Sequence, residues 1–243
     1  MKRRKARERQ SLFVAEGVRA VEELLHAGLT VRGALASPAL DRTPRGAALR
    51  DALGAHRIEV AAVSETDFQS AADTESPQGV LAIADVPART LDSVTLAATS
   101  RLLVLDGIQD PGNVGTLVRT AAALGATAVI ALPGTADLWN AKAVRSAVGA
   151  QFRIASLHES TPVVLSWLRA NGVALWGADA HGEPVHAASP PARLAIAVGN
   201  EGAGLSADVR AAADRLVALP MAAGVESLNV AVAAGITLYA LRP

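Results

Sequence analysis

The sequence predicts an α/β protein in two parts, a small N-terminal α/β unit and a larger C-terminal domain built on a parallel sheet. Three observations carry this. Strand-like and helix-like segments alternate along nearly all 243 residues, the order that builds sheets covered by helices. The C-terminal strand segments are continuous runs of Val, Leu, Ile and Ala, the pattern of parallel strands buried on both faces. Three apolar runs are each broken by a Gly-containing polar turn: Leu102 to Ala126, Leu194 to Ser206 and Leu216 to Leu241. Open α/β sheets bind ligands in loops at the carboxyl ends of their strands, so three such loops point to a composite site.

In the N-terminal part, GVRAVEELLHAG predicts a helix with Val18, Val21, Leu24 and Leu25 on one side and Gly28 as its stop. VRGALAS follows as a strand, PRGAALRDALGA as a helix and IEVAAV as a strand. SETDFQSAAD is a helix capped by Ser64, and GVLAIAD a closing strand. Residues 86–100, with an early Pro and a Thr/Ser cluster, mark the division. It places a first domain at 1–90, a linker at 91–100 and a second domain at 101–243.

In the second domain RLLVLD is a strand and Asn113 to Leu124 a helix with Asn113 at its N-cap. ATAVIAL is a strand, and AKAVRSAVGA a helix that Gly149 would end. TPVVLSWLRANG is a helix capped by Thr161. VALWGAD, RLAIAV and RLVALP are strands, and ADVRAAA is a short helix opened by Ser206. The last segment, NVAVAAGITLYAL, is apolar nearly all round, so it is either central in the core or pressed against another subunit.

Composition narrows the class. With no cysteine, neither a disulfide framework nor a thiolate metal site can form, which fits a reducing compartment. No run reaches membrane-span length and the N-terminus lacks an apolar signal region, so a cytoplasmic protein without membrane attachment is expected. The formal net charge is zero. The first ten residues nevertheless hold six Lys or Arg against one Glu. Such a block either lies along phosphates or is a solvated terminus.

Common motifs are missing. There is no GxxxxGK followed by Ser or Thr, and Gly199-Asn-Glu-Gly202-Ala-Gly204 has the wrong order and place for a dinucleotide fingerprint. No Gly-rich turn of ordinary class I methyltransferases follows the Asp106-Gly107 turn. HExxH and GxSxG are absent, and the five His are scattered, so neither metal catalysis nor a hydrolase elbow is expected.

Single residues are equivocal. Asn113 reads equally as a structural cap. Arg119 lies opposite the apolar face of Val114, Leu117, Val118 and Ala121, beside Gly115 and Ala122 or Ala123, where small neighbours admit a ligand. Glu201 sits in a turn. Ser227 and Asn229 bracket Leu228 ahead of the last helix and read equally as caps.

Together they resemble a known set. Asn113 with Arg119 in one helix, GNEG at Gly199 to Gly202, and the LP…SLN pattern from Leu219 to Asn229 are similar to the three motifs of the SpoU/TrmH-type RNA 2′-O-ribose methyltransferases of the SPOUT superfamily. KAVRSAVGAQFRI, from Lys142, resembles the segment between motifs one and two. FVAEGVRAVEELL and ESPQGVLAI resemble the small RNA substrate-binding domain of the ribosomal-RNA branch. The likeness thus covers nearly the whole chain.

The resemblance implies an L30e-like N-terminal domain and a deep trefoil knot in the catalytic domain, a rare exception among chain topologies. It implies S-adenosylmethionine as cofactor, contacted by Gly199, Gly202, Leu219 and Leu228, largely through the backbone groups that glycine-rich loops expose. It implies a homodimer through the C-terminal domain, an RNA substrate, most simply ribosomal RNA, and no metal. Arg119, Asn113, Glu201, Ser227 and Asn229 would form the catalytic group, and Arg3, Arg4, Lys5, Arg7 and Arg9 would contact RNA phosphates.

Methyl transfer from a sulfonium is an in-line displacement that needs alignment and a competent nucleophile. A ribose 2′-hydroxyl becomes one as its proton is weakened or removed. The resemblance gives that task to Arg119. A guanidinium pKa of roughly 12.5–13.8 argues instead that Arg119 holds an RNA phosphate and stabilises developing alkoxide charge. The competing readings are a transfer-RNA methyltransferase, a catalytically silent RNA-binding assembly factor on the same fold, and an unrelated nucleotide-binding α/β domain.

Overall fold

The computed structural model describes residues 10–225 and 227–242. The chain forms two compact units. The first takes residues up to Ala88 together with Trp139–Arg153; the second takes Arg89–Leu138 and Ile154 onward. In chain order the elements of the first stretch are β1 (Leu12–Glu16), α1 (Val18–His26), β2 (Val31–Ala36), α2 (Pro44–Ala55), β3 (Val60–Ala62), α3 (Glu65–Ala71) and β4 (Val80–Asp85). Then come β5 (Ser100–Asp106), α4 (Pro111–Ala123), β6 (Ala128–Ala131), α5 (Ala141–Ala147), α6 (Ala150–Arg153), β7 (Ala155–His158) and α7 (Thr161–Ala170). The last are β8 (Ala174–Pro184), β9 (Arg193–Gly199), α8 (Ala207–Ala212), β10 (Arg215–Ala218) and α9 (Val230–Ala240).

The first unit is a four-stranded mixed sheet in the order β1-β4-β2-β3. β4 runs antiparallel to both neighbours, and β2 and β3 are parallel. Val18, Val21 and Leu24 turn α1 inward, with Leu25 half-buried. Thr43 Oγ1 accepts from Gly46 N–H at 3.1 Å ahead of Pro44, which suits the first helical position of α2 because it has no N–H to satisfy. Ser64 caps α3 as expected, its Oγ accepting from Asp67 N–H. β1 is a strand the sequence reading did not anticipate. Phe13, fully buried on it, packs against the rings of Trp139 and Phe152, with centroids 4.6 and 5.6 Å away. Arg153 pairs with Glu23 of α1.

The second unit is a six-stranded sheet in the order β10-β8-β9-β5-β6-β7, parallel throughout. The parallel sheet is therefore as the apolar runs predicted. Leu102, Leu103, Leu105, Ala195, Ile196 and Ala197 at its centre are almost fully enclosed. β5 and β9 are in register from Ser100 and Arg193 to Asp106 and Gly199, so the last two residues end side by side at the carboxyl edge. β8 runs on to Pro184, past its expected end at Asp179, because β10 pairs with its far part after a register shift at Leu216/Val217.

Several local details differ from or refine the expectations. Asn113 is not the N-cap of α4. Asp110 is, accepting Asn113 N–H at 3.2 Å ahead of Pro111. Thr161 is the first residue of α7 rather than its cap, which is Ser160 without a side-chain bond. The helix from Ala141 ends just ahead of Gly149, as expected, with Val148 in a left-handed conformation, and the short α6 follows. Gly115, placed beside Arg119 on the open side, is buried.

One side of α9 packs into the core and the other is open. Val230, Ala231, Ala234 and Leu238 are buried, whereas Val232, Ile236 and Tyr239 are about half exposed on the other side. Its inner side packs on α4, where a Cβ at Gly235 would come within 3.1 Å of Thr120. Its carboxyl end is held by Arg101, a buried guanidinium donating to the Leu241 carbonyl and, at 2.8 Å, to that of Ala192. A cation there complements the helix dipole. Among the described residues no helix is long and apolar enough to cross a membrane.

Candidate active site

Three loops leave the carboxyl edge of the sheet, after β5, β9 and β10, and side chains tie them together. After β9 the chain turns back on itself. Asn200 and Gly204 exchange two backbone hydrogen bonds at 2.9 Å, and Asn200 Oδ1 accepts from the N–H groups of Gly202 and Ala203, both at 2.9 Å. Asn200 Nδ2 donates to the Gly107 carbonyl in the loop after β5 at 3.0 Å. Asp106, buried at the end of β5, accepts from Ser206 N–H at 2.6 Å and so fixes the far end of the same turn. Gly199 has to be glycine. A Cβ there would lie 2.2 Å from the Gly204 carbonyl carbon, which no side chain allows.

A line of polar side chains then crosses all three loops. Asn113 Nδ2 donates to Glu201 Oε1 at 2.8 Å. Asn229 Nδ2 donates to Asn113 Oδ1 at 3.1 Å. Asn229 is also the cap of α9, its Oδ1 accepting from Ala231 N–H at 2.9 Å. One amide thus closes the last helix and reaches the first. Because Asp110 performs the capping of α4, Asn113 is free to use both ends of its amide.

Beside this line lies a cleft of about 400 Å³, within the usual range for small-molecule sites. Gly199, Glu201, Gly202, Leu219, Ser227 and Leu228 line it. All four residues expected to touch a cofactor are therefore on its walls, along with two of the five expected catalytic residues. Asn113 and Asn229 stand next to it through their bonds to Glu201 and each other. Arg119 does not. It is exposed on α4, outside the lining of this cleft, and bonds to no other described residue. Arg3, Arg4, Lys5, Arg7 and Arg9 lie outside the described residues.

Two features of the cleft were missed from sequence. Asn200 is the clamp of the β9 turn. Asp179, which lines the cleft with His181 and Arg210, accepts from His181 N–H at 2.9 Å and pairs with the Arg210 guanidinium. Burial pushes its carboxyl up, but these donors outweigh that and hold it below the ordinary aspartate value. The signal was available. Asp179 follows an apolar run, at the strand edge that located the other loops. Among the described residues no group of three or more potential metal-ligating side chains occurs.

The donor set suits a nucleoside cofactor. Backbone is exposed at the β9 turn, which a Cβ at Gly199 would fill, and apolar Leu219 and Leu228 line the cleft together with the carboxylates of Glu201 and Asp179. A parallel sheet whose carboxyl-edge loops are bonded around one such cleft defines a ligand-binding α/β domain. The chain belongs to the SpoU rRNA Methylase family, whose model matches residues 100–239. A model described as an MRM3-like substrate binding domain matches residues 1–82.

Similar proteins span almost the whole length. The chain is 36% identical over 240 residues to the 23S rRNA (guanosine(2553)-2′-O)-methyltransferase RlmP of Bacillus subtilis (strain 168), covering 98% of this chain and 92% of that one. It is 31% identical to the 23S rRNA (uridine(2479)-2′-O)-methyltransferase of Streptomyces viridochromogenes, covering 97% and 84%. Among solved structures it resembles the SpoU methyltransferase AviRb from Streptomyces viridochromogenes in complex with the cofactor AdoMet. There the TM-score is 0.90 and the identity 30%, over 98% of this chain and 92% of the other.

Proposed function

We propose that this protein is an S-adenosylmethionine-dependent methyltransferase acting on a ribose 2′-hydroxyl of ribosomal RNA. The observation that carries the reading is the bonded line Glu201–Asn113–Asn229 along one side of the cleft. It joins one polar group from each of three distant loops beside the proposed cofactor residues. The two similar proteins, both named as 2′-O-methyltransferases of 23S rRNA, support the same substrate.

S-adenosylmethionine, when bound, supplies an electrophilic methyl group. Gly199, Gly202, Leu219 and Leu228 hold it through backbone groups and apolar contact. Asn113 and Glu201 orient the target ribose, and Ser227 and Asn229 fix the last loop near the reacting oxygen. Arg119 holds the adjacent phosphate and stabilises charge developing on the 2′-oxygen. Since Arg119 stands outside the cleft of its own chain, we read it as serving the cleft of a second copy. The homodimer would form through the exposed Val232, Ile236 and Tyr239 of α9, which packs on the helix carrying Arg119.

The finer fold assignments belong to the same reading. Residues 1–90 act as an L30e-like RNA-binding domain, 91–100 as a linker, and 101–243 as a catalytic domain with a deep trefoil knot. Support comes from the mixed sheet of the first unit and from the loop after β10 lining the same cleft as the β9 turn. Arg3, Arg4, Lys5, Arg7 and Arg9 would track RNA phosphates. The protein would work in the cytoplasm, where ribosomal RNA is found.

The deciding experiment maps 2′-O-methyl groups on ribosomal RNA from cells with and without the protein, alongside calorimetry with S-adenosylmethionine. One ribose modification that disappears with the gene is expected. Cofactor binding with no change in the RNA would leave a silent binder and refute the activity.

A further inference from the structure

We propose that the first unit carries a built subsite for one phosphodiester of the RNA backbone, in the cavity between the start of α1 and α5. This deepens the RNA reading above and rests on it. The cavity measures about 290 Å³ and is lined by Glu16, Arg19, Ser76, Gln78 and Arg145 among others. Both N-terminal segments that resemble a substrate-binding domain reach it, one through Glu16 and Gly17 and the other through Ser76 and Gln78, and the catalytic reading uses neither.

Its chemistry is that of an anion site. Two guanidinium groups, Arg19 and Arg145, face one carboxylate. That carboxylate is already engaged. Glu16 is buried and accepts from Asp73 N–H at 2.9 Å and from the Thr74 hydroxyl. Arg145 Nη1 is enclosed yet has no hydrogen-bond partner, and Glu16 Oε2 is 3.8 Å away. A buried cationic donor left open is costly and marks a place for an acceptor.

The helix adds its own donors. α1 begins at Gly17 with no side-chain cap, and Gln78 Oε1 takes only the Val18 N–H, at 2.9 Å. Gly17 has φ 96°, and a Cβ there would press on Gln78 Oε1 at 3.0 Å, so glycine keeps this corner open. The start of a helix attracts anions. No aromatic side chain lines the cavity, which leaves a nucleobase without a stacking platform and favours the phosphate.

The test uses the full chain, unmodified 23S ribosomal RNA, and the variants Arg19→Ala and Gln78→Glu. Gln78→Glu keeps an acceptor for Val18 N–H and places a negative charge at a helix start, so the fold is held or strengthened while a phosphate is repelled. Both variants should melt as the wild type does and bind S-adenosylmethionine unchanged. Both should bind RNA several-fold more weakly. For Arg19→Ala the slope of log affinity against log salt should fall by about 0.7–0.9, the value of one phosphate contact.

Unchanged affinity and slope in both variants would overturn the subsite while leaving the methyltransferase reading intact. Inorganic phosphate should compete with RNA on the wild type and lose that effect in the variants. If the variants lose phosphate binding but keep RNA binding, the cavity serves free phosphate and the RNA subsite is wrong. If the wild-type chain binds no ribosomal RNA, the functional reading itself fails and the subsite with it.

Discussion

Asn113 and Glu201 are separated by 88 residues of chain, yet the amide of one meets the carboxylate of the other at 2.8 Å, Nδ2 to Oε1. The same amide accepts from Asn229 at 3.1 Å through Oδ1. The carboxamide offers a donor and an acceptor on one planar group, and Gln would be one methylene too long here. Asn113→Asp removes the donor and sets a second carboxylate against Glu201. The helix keeps its Asp110 cap, so stability should change by no more than about 0.5 kcal/mol. Turnover should fall about 10²-fold through misplacement of the ribose, with S-adenosylmethionine binding nearly unchanged. Single-turnover methylation and calorimetry separate the two, and full activity in this variant would remove Asn113 from the site.

Gly199→Ala tests the cleft rather than the polar line. The added Cβ would sit 2.2–2.4 Å from backbone atoms of Gly204 and Leu205. Backbone cannot yield as a flexible side chain would, so the turn must open. Overpacking of this kind costs about 1–3 kcal/mol. The clamp of Asn200 on Gly202 and Ala203 would be lost with it. Cofactor affinity should drop by an order of magnitude or more, read by calorimetry, and denaturant unfolding should report the stability cost. Wild-type affinity would mean that the β9 turn does not shape the cofactor site.

Much of this site was legible because polar residues at the ends of apolar runs have no core to satisfy them. The family resemblance singled out Gly199, Leu219 and Leu228; that logic alone pointed to the loops that carry them, with Glu201, along one cleft. Asn113 reads as a cap only when taken alone, whereas Asp110 followed by Pro111 is the stronger helix start. The same logic passed over Asp179, whose donors come from His181 and Arg210. β1 and the extension of β8 were hidden for a different reason. Each exists through pairing with a distant strand, β4 in one case and β10 after its register shift in the other, and no local periodicity reports such a partner. The Trp139 and Phe152 rings packed on Phe13 are equally non-local.

Arg119 is exposed on α4 and lines no wall of the cleft in its own chain. Arg119→Ala should therefore keep the fold and cofactor binding but lose most methylation. Lys should restore little, since it lacks the planar fork that grips a phosphate. Mixing Arg119→Ala chains with Gly199→Ala chains tells whose cleft the guanidinium serves. If it acts on a second copy, mixed dimers hold one site with both parts intact, and activity returns. If it acts within its own chain, every site in the mixture lacks one part and none returns.

Asp179 supplies the pH test. Burial raises its pKa, but the N–H of His181 and the Arg210 guanidinium outweigh burial and leave it below the ordinary 3.8. A carboxylate whose folded pKa is depressed adds stability that is fully present above its unfolded value and is lost as pH falls through the folded one. Asp179→Asn removes that charge at every pH. At neutral pH the variant should be less stable by about 1–2 kcal/mol, the worth of a charge-assisted bond partly open to water. The gap should close as pH falls below the ordinary aspartate value and the wild-type carboxyl takes up its proton. Urea unfolding of both chains across that range measures it. A gap that stays constant with pH would show that the Arg210 pair contributes nothing to the wall of the cleft.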